Sequence, residues 1–141
     1  MNQQIYVNLP VKDLERSKAF FAALGFGFNP QFSNQDAACM IVSNDIYVML
    51  LAEPFFQTFT KKPISDARGA TEVLLCLSCD SRAAVDDIAG KAKAAGGAWP
   101  FEPKDHGFMY QHGFEDPDGH MWELVYMESM PEQAAMADAQ A

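Results

Sequence analysis

Apolar and polar residues alternate in the first predicted strand, and the pattern then changes to a helical period. The alternation covers positions 5–9 and stops at Pro10, which has no backbone N–H for a central strand. Between Asp13, which can cap a helix, and Gly25, which can end one, apolar residues recur at helical spacing. The pattern therefore predicts a short half-buried strand followed by a helix.

The remainder of the first half is predicted to form three strands. Turn-forming residues at positions 33–36 and 43–45 separate three apolar runs. The predicted strands span 26–32, 38–42 and 46–51. The first half thus has the order strand, helix, strand, strand, strand.

This order repeats in the second half. A strand over 72–79 precedes a helix that Asp80 or Ser81 can cap and that Gly96 ends. Three strands follow at 98–101, 108–114 and 120–126, with a tight turn at 116–119 before the last one. Two copies of one βαβββ unit, joined by an irregular connector at 53–70, are the simplest account.

The chain length favours a single domain. Its 141 residues suffice for one hydrophobic core. We predict an α+β domain over 1–127, with one module at about 4–52 and a second at about 71–127. Residues 128–141 are rich in Ala, Gln and Met and have no clear apolar stripe, so they are predicted to form a frayed tail or a marginal helix without an assigned function.

Composition and charge exclude several classes of function. Hydrophobic residues make up 49% of the chain, yet no apolar run approaches the roughly 20 residues of a membrane span, so we expect a soluble globular protein. The net charge of −9 repels phosphate backbones and anionic lipids, which argues against nucleic acid and membranes as partners. The first residues contain neither a basic leader nor a cleavage signal, so a cytoplasmic location is expected by default.

Two segments of the chain resemble signatures of a known family. The first reads YVNLPVKDLERS at 6–17 and continues with FF at 20–21 and LGF at 24–26, and the second reads FEDPDGHMWEL at 114–124. Both are similar to signatures of the vicinal oxygen chelate superfamily, which includes glyoxalase I, extradiol dioxygenases and bleomycin-resistance proteins. The resemblance implies two βαβββ modules that form a curved mixed sheet around a cleft, and commonly a homodimer.

Strand alternation indicates which side chains would face this cleft. If Val7 and Leu9 pack against the helices, then Tyr6 and Asn8 face the opposite way. The same reasoning for the fourth, fifth and last strands gives a mostly apolar cleft, as is usual for a small-molecule pocket. The segment that leads into the seventh strand adds aromatic residues and a histidine. The candidate ligand-binding residues are Tyr6, Asn8, Tyr47, Met49, Leu74, Cys76, His106, Phe108 and Tyr110.

The connector also carries aromatic residues that could reach the cleft. Phe55 and Phe59 would share one face if this stretch is helical. They could then form an interface or a lid above the cleft, or they could simply pack locally.

The resemblance implies a position for a metal ion. Metal-dependent members hold a divalent ion with one His, Gln or Glu side chain from each of four strands. The corresponding positions here hold Tyr6, Met49, Leu74 and Glu123. Only Glu123 is a competent ligand, so we predict no metal and no other cofactor. A shifted ligand set that includes Glu72, His106 or His112 stays open.

Glu123 is the candidate catalytic residue. A partly apolar cleft would favour its neutral form and allow proton transfer near neutral pH, whereas the alternative is a strand carboxylate that only accepts a hydrogen bond. The sequence favours a glyoxalase/bleomycin-resistance-like protein that binds a small organic molecule. A lyase or isomerase similar to lactoylglutathione lyase, with or without a metal, is the second possibility. The sequence identifies no particular ligand and leaves open whether the protein is an enzyme.

Overall fold

The computed structural model describes residues 3–128, so the predicted tail lies outside the described residues except for Glu128. In this part of the chain, strands and helices follow the predicted order twice, which confirms the α+β class and the two βαβββ units. The strands are β1 Ile5–Val11, β2 Gly27–Asn29, β3 Ala37–Ile41, β4 Ile46–Ala52, β5 Leu74–Ser78, β6 Lys104–Asp105, β7 Met109–Glu115 and β8 Met121–Met127. The α-helices are α1 Leu14–Ala23, α2 Glu53–Phe56 and α3 Arg82–Ala94.

The strands form two four-stranded mixed sheets with the same internal order. The first sheet has the order β1-β4-β3-β2 and the second has the order β5-β8-β7-β6. In each sheet the first strand of the module pairs in parallel with the last, and the other pairs are antiparallel. The identical strand order in the two sheets confirms the internal repeat that was predicted from the sequence.

Local signals at the helix ends explain where the two long helices begin and stop. The Asp13 carboxylate accepts a hydrogen bond from the backbone N–H of Arg16, and the Ser81 hydroxyl accepts one from the N–H of Ala84. Ser81 is therefore the cap of α3, of the two residues predicted for that place. Gly96 follows α3 with a φ of +106°, a conformation that costs other residues energy.

Two predicted strands differ from the structure because of proline. In the segment 26–32 the strand ends at Asn29, and Pro30 begins a 3₁₀ turn. The Asn29 side chain caps this turn by accepting a hydrogen bond from the backbone N–H of Gln31. The predicted strand 98–101 is reduced to a single bridge between Ala98 and Glu115, and the sixth strand of the protein is Lys104–Asp105 instead. Pro100 lacks the N–H that would extend the ladder.

Both modules contribute to one hydrophobic core. The α1 residues Phe20 and Phe21 are buried, and their rings approach those of Phe114 and Trp122 from the second sheet. The ring centroids lie 5.8 Å apart for Phe20 and Phe114 and 5.2 Å apart for Phe21 and Trp122. The helix of the first module thus packs against the sheet of the second.

The turn before β8 joins the two modules through buried carboxylates. Asp118 accepts hydrogen bonds from the backbone N–H of Lys12 at 2.9 Å and from the Ser17 hydroxyl at 3.2 Å. Asp116 accepts one from the indole N–H of Trp122 at 3.1 Å. The strand that follows is therefore anchored beside the end of β1.

No helix within residues 3–128 is both long and apolar enough to cross a membrane.

Candidate functional site

Each sheet has one face packed against the helices and one open face. In β1, Leu9 and Val11 are buried in the core, whereas Asn8 is exposed and Tyr6 is 48% exposed. Asn8 pairs with Met49 on β4, so these side chains share the open face of the first sheet. Their roles in ligand binding stay predictions.

A stacked tyrosine pair occupies one end of this open face. Tyr6 and Tyr47 are register partners on β1 and β4, and their rings lie 4.9 Å apart with an interplanar angle of 12°. The Tyr47 hydroxyl donates a hydrogen bond to the carbonyl oxygen of Asn44. The pair therefore presents a flat aromatic surface in the first module.

The other end of the open face is covered and forms a groove, which we call the first-sheet groove. Its volume is about 370 Å³, and its floor includes Asn8, Met49 and Leu51. Phe55 and Phe59 line it from the connector, with their ring centroids 5.2 Å apart in an edge-to-face arrangement. The two rings thus pack against each other as one of the alternatives expected, and a lid role stays a prediction.

A second cavity lies where β1 meets the connector and the start of β8, and we call it the junction cavity. Its volume is about 470 Å³. Residues 7–10 form one wall, the connector residues between Thr60 and Val73 form another, and Met121 lies at the end of β8. Asn8 lines both the junction cavity and the first-sheet groove, which makes these two spaces neighbours.

Sequence reasoning missed the junction cavity because the connector has no alternating pattern. Ile64, Ala67 and Ala70 line the cavity although their segment was predicted only to link the modules. No periodic signal assigns side chains of an irregular segment to a face. The positions of these side chains depend on how the connector packs against β1, and this packing cannot be inferred from the sequence pattern.

The open face of the second sheet carries a small polar group. Cys76 on β5 is the register partner of Glu123 on β8. The amide nitrogen of Gln111 on β7 donates a hydrogen bond to the Oε2 atom of Glu123 at 3.0 Å. Burial and the charge of Glu123 raise the pKa of the Cys76 thiol, so the thiol is neutral at pH 7.

Sequence reasoning also missed Gln111, for which a signal was available. Phe114 is buried against the helices, and Gln111 has the opposite parity along the same strand. Cross-strand pairing then places Gln111 diagonally opposite Glu123. The missing information was the register between β7 and β8.

The four positions that the resemblance assigns to a metal ion are divided between the two sheets. Tyr6 and Met49 lie on the first sheet, and Leu74 and Glu123 lie on the second. Neither Leu74 nor Glu123 lines the first-sheet groove or the junction cavity. The four positions therefore do not surround either of these spaces within one chain.

The donor chemistry at these positions does not fit a divalent ion. Phenol, thioether and alkyl groups are poor ligands, and Gln111 could add only one amide oxygen to the Glu123 carboxylate. Within residues 3–128, no group of three or more His, Cys, Asp or Glu side chains could hold a metal ion. Glu72 lines the junction cavity and belongs to no such group within these residues.

The structure places Tyr110 on the face opposite to Glu123. Its hydroxyl donates a hydrogen bond to Asp86 of α3 at 2.6 Å, and this bond raises the pKa of Tyr110 to about 12. Tyr110 alternates with Gln111 and so points towards the helix, which removes it from the ligand-binding set. His106 and Phe108 lie in the connection between β6 and β7, outside the lining of both spaces described above.

His112 is also directed towards the helix and is buried. It is 1% exposed, and its ring centroid lies 4.5 Å from that of Trp99. Within the described part of the chain neither ring nitrogen has a hydrogen-bond partner, and burial lowers the pKa of His112. This placement makes His112 a core residue on the face opposite to Glu123.

Comparisons with known proteins agree with the repeated βαβββ architecture. Residues 3–43 match the family described as bleomycin resistance protein-like N-terminal. Among solved structures, the chain is similar to a hypothetical protein from S. aureus, with 31% identity, coverage of 89% of this chain and 94% of that chain, and a TM-score of 0.76. It is also similar to a glyoxalase/bleomycin resistance protein/dioxygenase family enzyme from Burkholderia phytofirmans, with 20% identity, coverage of 86% and 96%, and a TM-score of 0.72.

A bleomycin resistance determinant encoded on transposon Tn5 shares the same fold. Its identity to this chain is 23%, the match covers 90% of this chain and 99% of that chain, and the TM-score is 0.62. No curated protein sequence matched the chain.

Proposed function

We propose that the chain is a member of the vicinal oxygen chelate superfamily, that it binds a small organic molecule, and that it holds no metal ion at the position that the resemblance assigns to one. The observation that carries this proposal is the junction cavity of about 470 Å³, which adjoins the first-sheet groove of about 370 Å³. Both volumes lie in the range of about 300–1,000 Å³ that is usual for ligand pockets.

The chemistry of the lining supports an organic ligand with a small number of polar groups. Ile64, Val73 and Met121 supply apolar surface in the junction cavity, and Phe55 and Phe59 supply it in the groove. Such surface gains free energy when a ligand displaces water from it.

Asn8 is the polar residue common to the junction cavity and the first-sheet groove. Its side-chain amide can both donate and accept hydrogen bonds. We assign Asn8 the role of orienting a polar group of the ligand.

The proposal includes a second copy of the chain as a partner. The open faces expose large apolar side chains, with Tyr6 at 48% and Leu74 at 53% exposure. A second copy could cover these faces and could bring the open face of one sheet opposite that of the other, as the superfamily resemblance suggests. A homodimer would in this way combine Tyr6 and Met49 of one chain with the Glu123 region of its partner.

An isomerase or lyase reaction is the second candidate, and the position of Glu123 is the observation that favours it. Its Oε2 atom accepts the Gln111 hydrogen bond, while its other oxygen is available to accept a proton from a substrate. The exchange of Glu123→Gln would abolish turnover if this candidate is correct and would leave turnover unchanged if Glu123 has no part in proton transfer.

A cavity-filling variant tests the binding proposal. Ala67 lines the junction cavity, and an indole at this position would occupy the space of the ligand. Naphthalen-2-ylmethanol is a suitable neutral probe, and its binding can be followed by titration calorimetry. We expect saturable binding to the wild type and an affinity about tenfold lower in Ala67→Trp, which corresponds to about 1.4 kcal/mol.

Ala94→Trp is the matched control because Ala94 is exposed at the end of α3, away from the cavity. This control should bind the probe as the wild type does. Circular dichroism of each variant checks that it is folded, and Ala70→Trp replaces Ala67→Trp if the latter unfolds. Absence of saturable binding, or equal binding by both tryptophan variants, would contradict the proposal.

A further inference from the structure

The Glu123 carboxylate is an ionisable group on a face that is otherwise largely apolar. Its neighbours two residues away on β8 are Met121 and Val125, and Leu74 is the register partner of Met121 on β5. Glu123 is only partly exposed. A carboxylate that is partly withdrawn from water is stabilised by a partner of opposite charge.

No basic side chain supplies this charge within residues 3–128. The ion pairs in the described part of the chain connect other residues, and none of them includes Glu123. The polar neighbours of Glu123 on this face are the neutral amide of Gln111, the neutral thiol of Cys76 and the carboxylate of Glu115, which is the register partner of Met121. Within this part of the chain, the carboxylate of Glu123 therefore has no basic partner.

Gln111 fixes the orientation of the carboxylate. Its amide nitrogen donates to Oε2 at 3.0 Å, which occupies one oxygen and leaves Oε1 free to accept a hydrogen bond from elsewhere. In relatives that hold a metal, this position would need three further ligands, but phenol, thioether and alkyl groups stand at those places. Oε1 of Glu123 is therefore suited to a hydrogen-bond donor, which requires one carboxylate, whereas a metal ion requires several ligands.

The carboxylate is also close to the proposed binding space. Met121 lines the junction cavity, and Glu123 follows it on the same face of β8 at a distance of about 7 Å along the strand. A ligand with an apolar body in the cavity could place a polar end at Glu123 if it is longer than about 7 Å.

We propose that Glu123, oriented by Gln111, binds a positively charged nitrogen group of an organic ligand, such as an ammonium group, in place of a metal ion. This inference rests on the proposed function and specifies the class of ligand whose apolar body the junction cavity would bind, with its charged end at Glu123 beside that cavity. Gln111 acts as a positioning residue, because it holds the carboxylate and does not itself carry charge.

Two probes that differ mainly in charge test this inference. Naphthalen-2-ylmethylamine carries an ammonium group at pH 7, and naphthalen-2-ylmethanol carries a neutral hydroxyl on the same ring. The wild type should bind the amine about tenfold more tightly than the alcohol. Glu123→Gln should reduce this ratio to about one, because the amide keeps the shape of the side chain and loses its charge.

Two further variants separate the local effect from a general effect of charge. Glu102→Gln removes an exposed carboxylate from the loop before β6 and should leave the ratio of amine to alcohol affinity unchanged. Gln111→Ala should lower the ratio without lowering the affinity for the alcohol. A purely structural role of Gln111 would instead change the affinities for both probes equally and would contradict the positioning role.

The outcomes distinguish failure of the inference from failure of the proposed function. If the alcohol binds and the amine binds no better, the inference is wrong and the binding function stands. If neither probe binds, the proposed function is wrong, and the inference fails with it. A titration with Zn²⁺ or Ni²⁺ that shows stoichiometric binding to the wild type and none to Glu123→Gln would also overturn the inference.

Discussion

The side chain of Asp118, in the second module, forms hydrogen bonds directly to the first module. Its carboxylate is buried and accepts hydrogen bonds from the Lys12 backbone and the Ser17 hydroxyl, both of which belong to the first module. Removal of a buried acceptor leaves its donors without partners.

Asp118→Ala should therefore lower the free energy of unfolding by about 2–4 kcal/mol. Urea denaturation followed by circular dichroism measures this value. Asp87→Ala is the control, because its ion pair with Lys91 lies on the exposed surface of α3 and should contribute less than about 1 kcal/mol. Equal losses in the two variants would show that Asp118 does not join the modules.

His112 gives the stability of the protein a specific pH dependence. Burial lowers its pKa below the ordinary value of 6.5. The charges of Asp86 and Glu102 act in the opposite direction, and that of Lys93 acts in the same direction as burial. The unfolded chain thus binds a proton at this residue more readily than the folded chain does.

The free energy of unfolding should accordingly fall as the pH decreases below about 6.5, with a contribution from His112 of up to about 1.4 kcal/mol per pH unit. The measurement compares urea denaturation of the wild type and His112→Phe between pH 7.5 and pH 5, with His106→Gln as the exposed control. The difference between wild type and His112→Phe should depend on pH in this interval. A constant difference would contradict the account of His112 as a buried neutral imidazole.

At the level of the elements, the sequence predicted those parts of the fold that have a strict period. The alternation in β1 assigned Asn8 to the open face and Leu9 to the core because one burial pattern covers the whole strand. The segment 98–101 was predicted wrongly because its apolar residues suggested a strand, while Pro100 prevents the ladder from continuing. The indole N–H of Trp99 instead donates to the Ala89 carbonyl, which draws this segment towards α3.

Substitutions of two glycines, one inside α3 and one just after it, should change the free energy of unfolding in opposite directions. Gly90 lies inside the helix with open space around its Cα, so Gly90→Ala should raise the free energy of unfolding by about 0.5–1 kcal/mol. Gly96 has a φ of +106° after the helix, so Gly96→Ala should lower it by about 1 kcal/mol. Thermal or urea denaturation measures both values. Changes of the same sign would contradict the assigned end of α3.

At the level of the whole molecule, the repeat was visible in the sequence but the spaces between its parts were not. The junction cavity depends on β1, the connector and the start of β8, which are far apart along the chain. The sequence could identify Asn8 as a candidate because strand parity assigned it a face. It could not identify Ile64 or Ala67, since their positions follow from the packing of an irregular segment.

The exposed open faces also lead to a prediction about association. Sedimentation equilibrium at micromolar concentrations should give about twice the chain mass of 15.6 kDa. Tyr6→Glu should shift the equilibrium towards the single chain, because it places a charge on the apolar open face. A mass of 15.6 kDa for the wild type at all concentrations would contradict the proposed homodimer.

The location of ligand binding is the most direct test of the proposed function. Amide chemical shifts of the ¹⁵N-labelled protein can be recorded during titration with naphthalen-2-ylmethanol. We predict saturable shifts concentrated in the segments 7–10, 60–73 and 119–121, which contain most of the residues that line the junction cavity. Shifts confined to other surfaces, or no saturable shifts at all, would contradict the assignment of this cavity as the binding site.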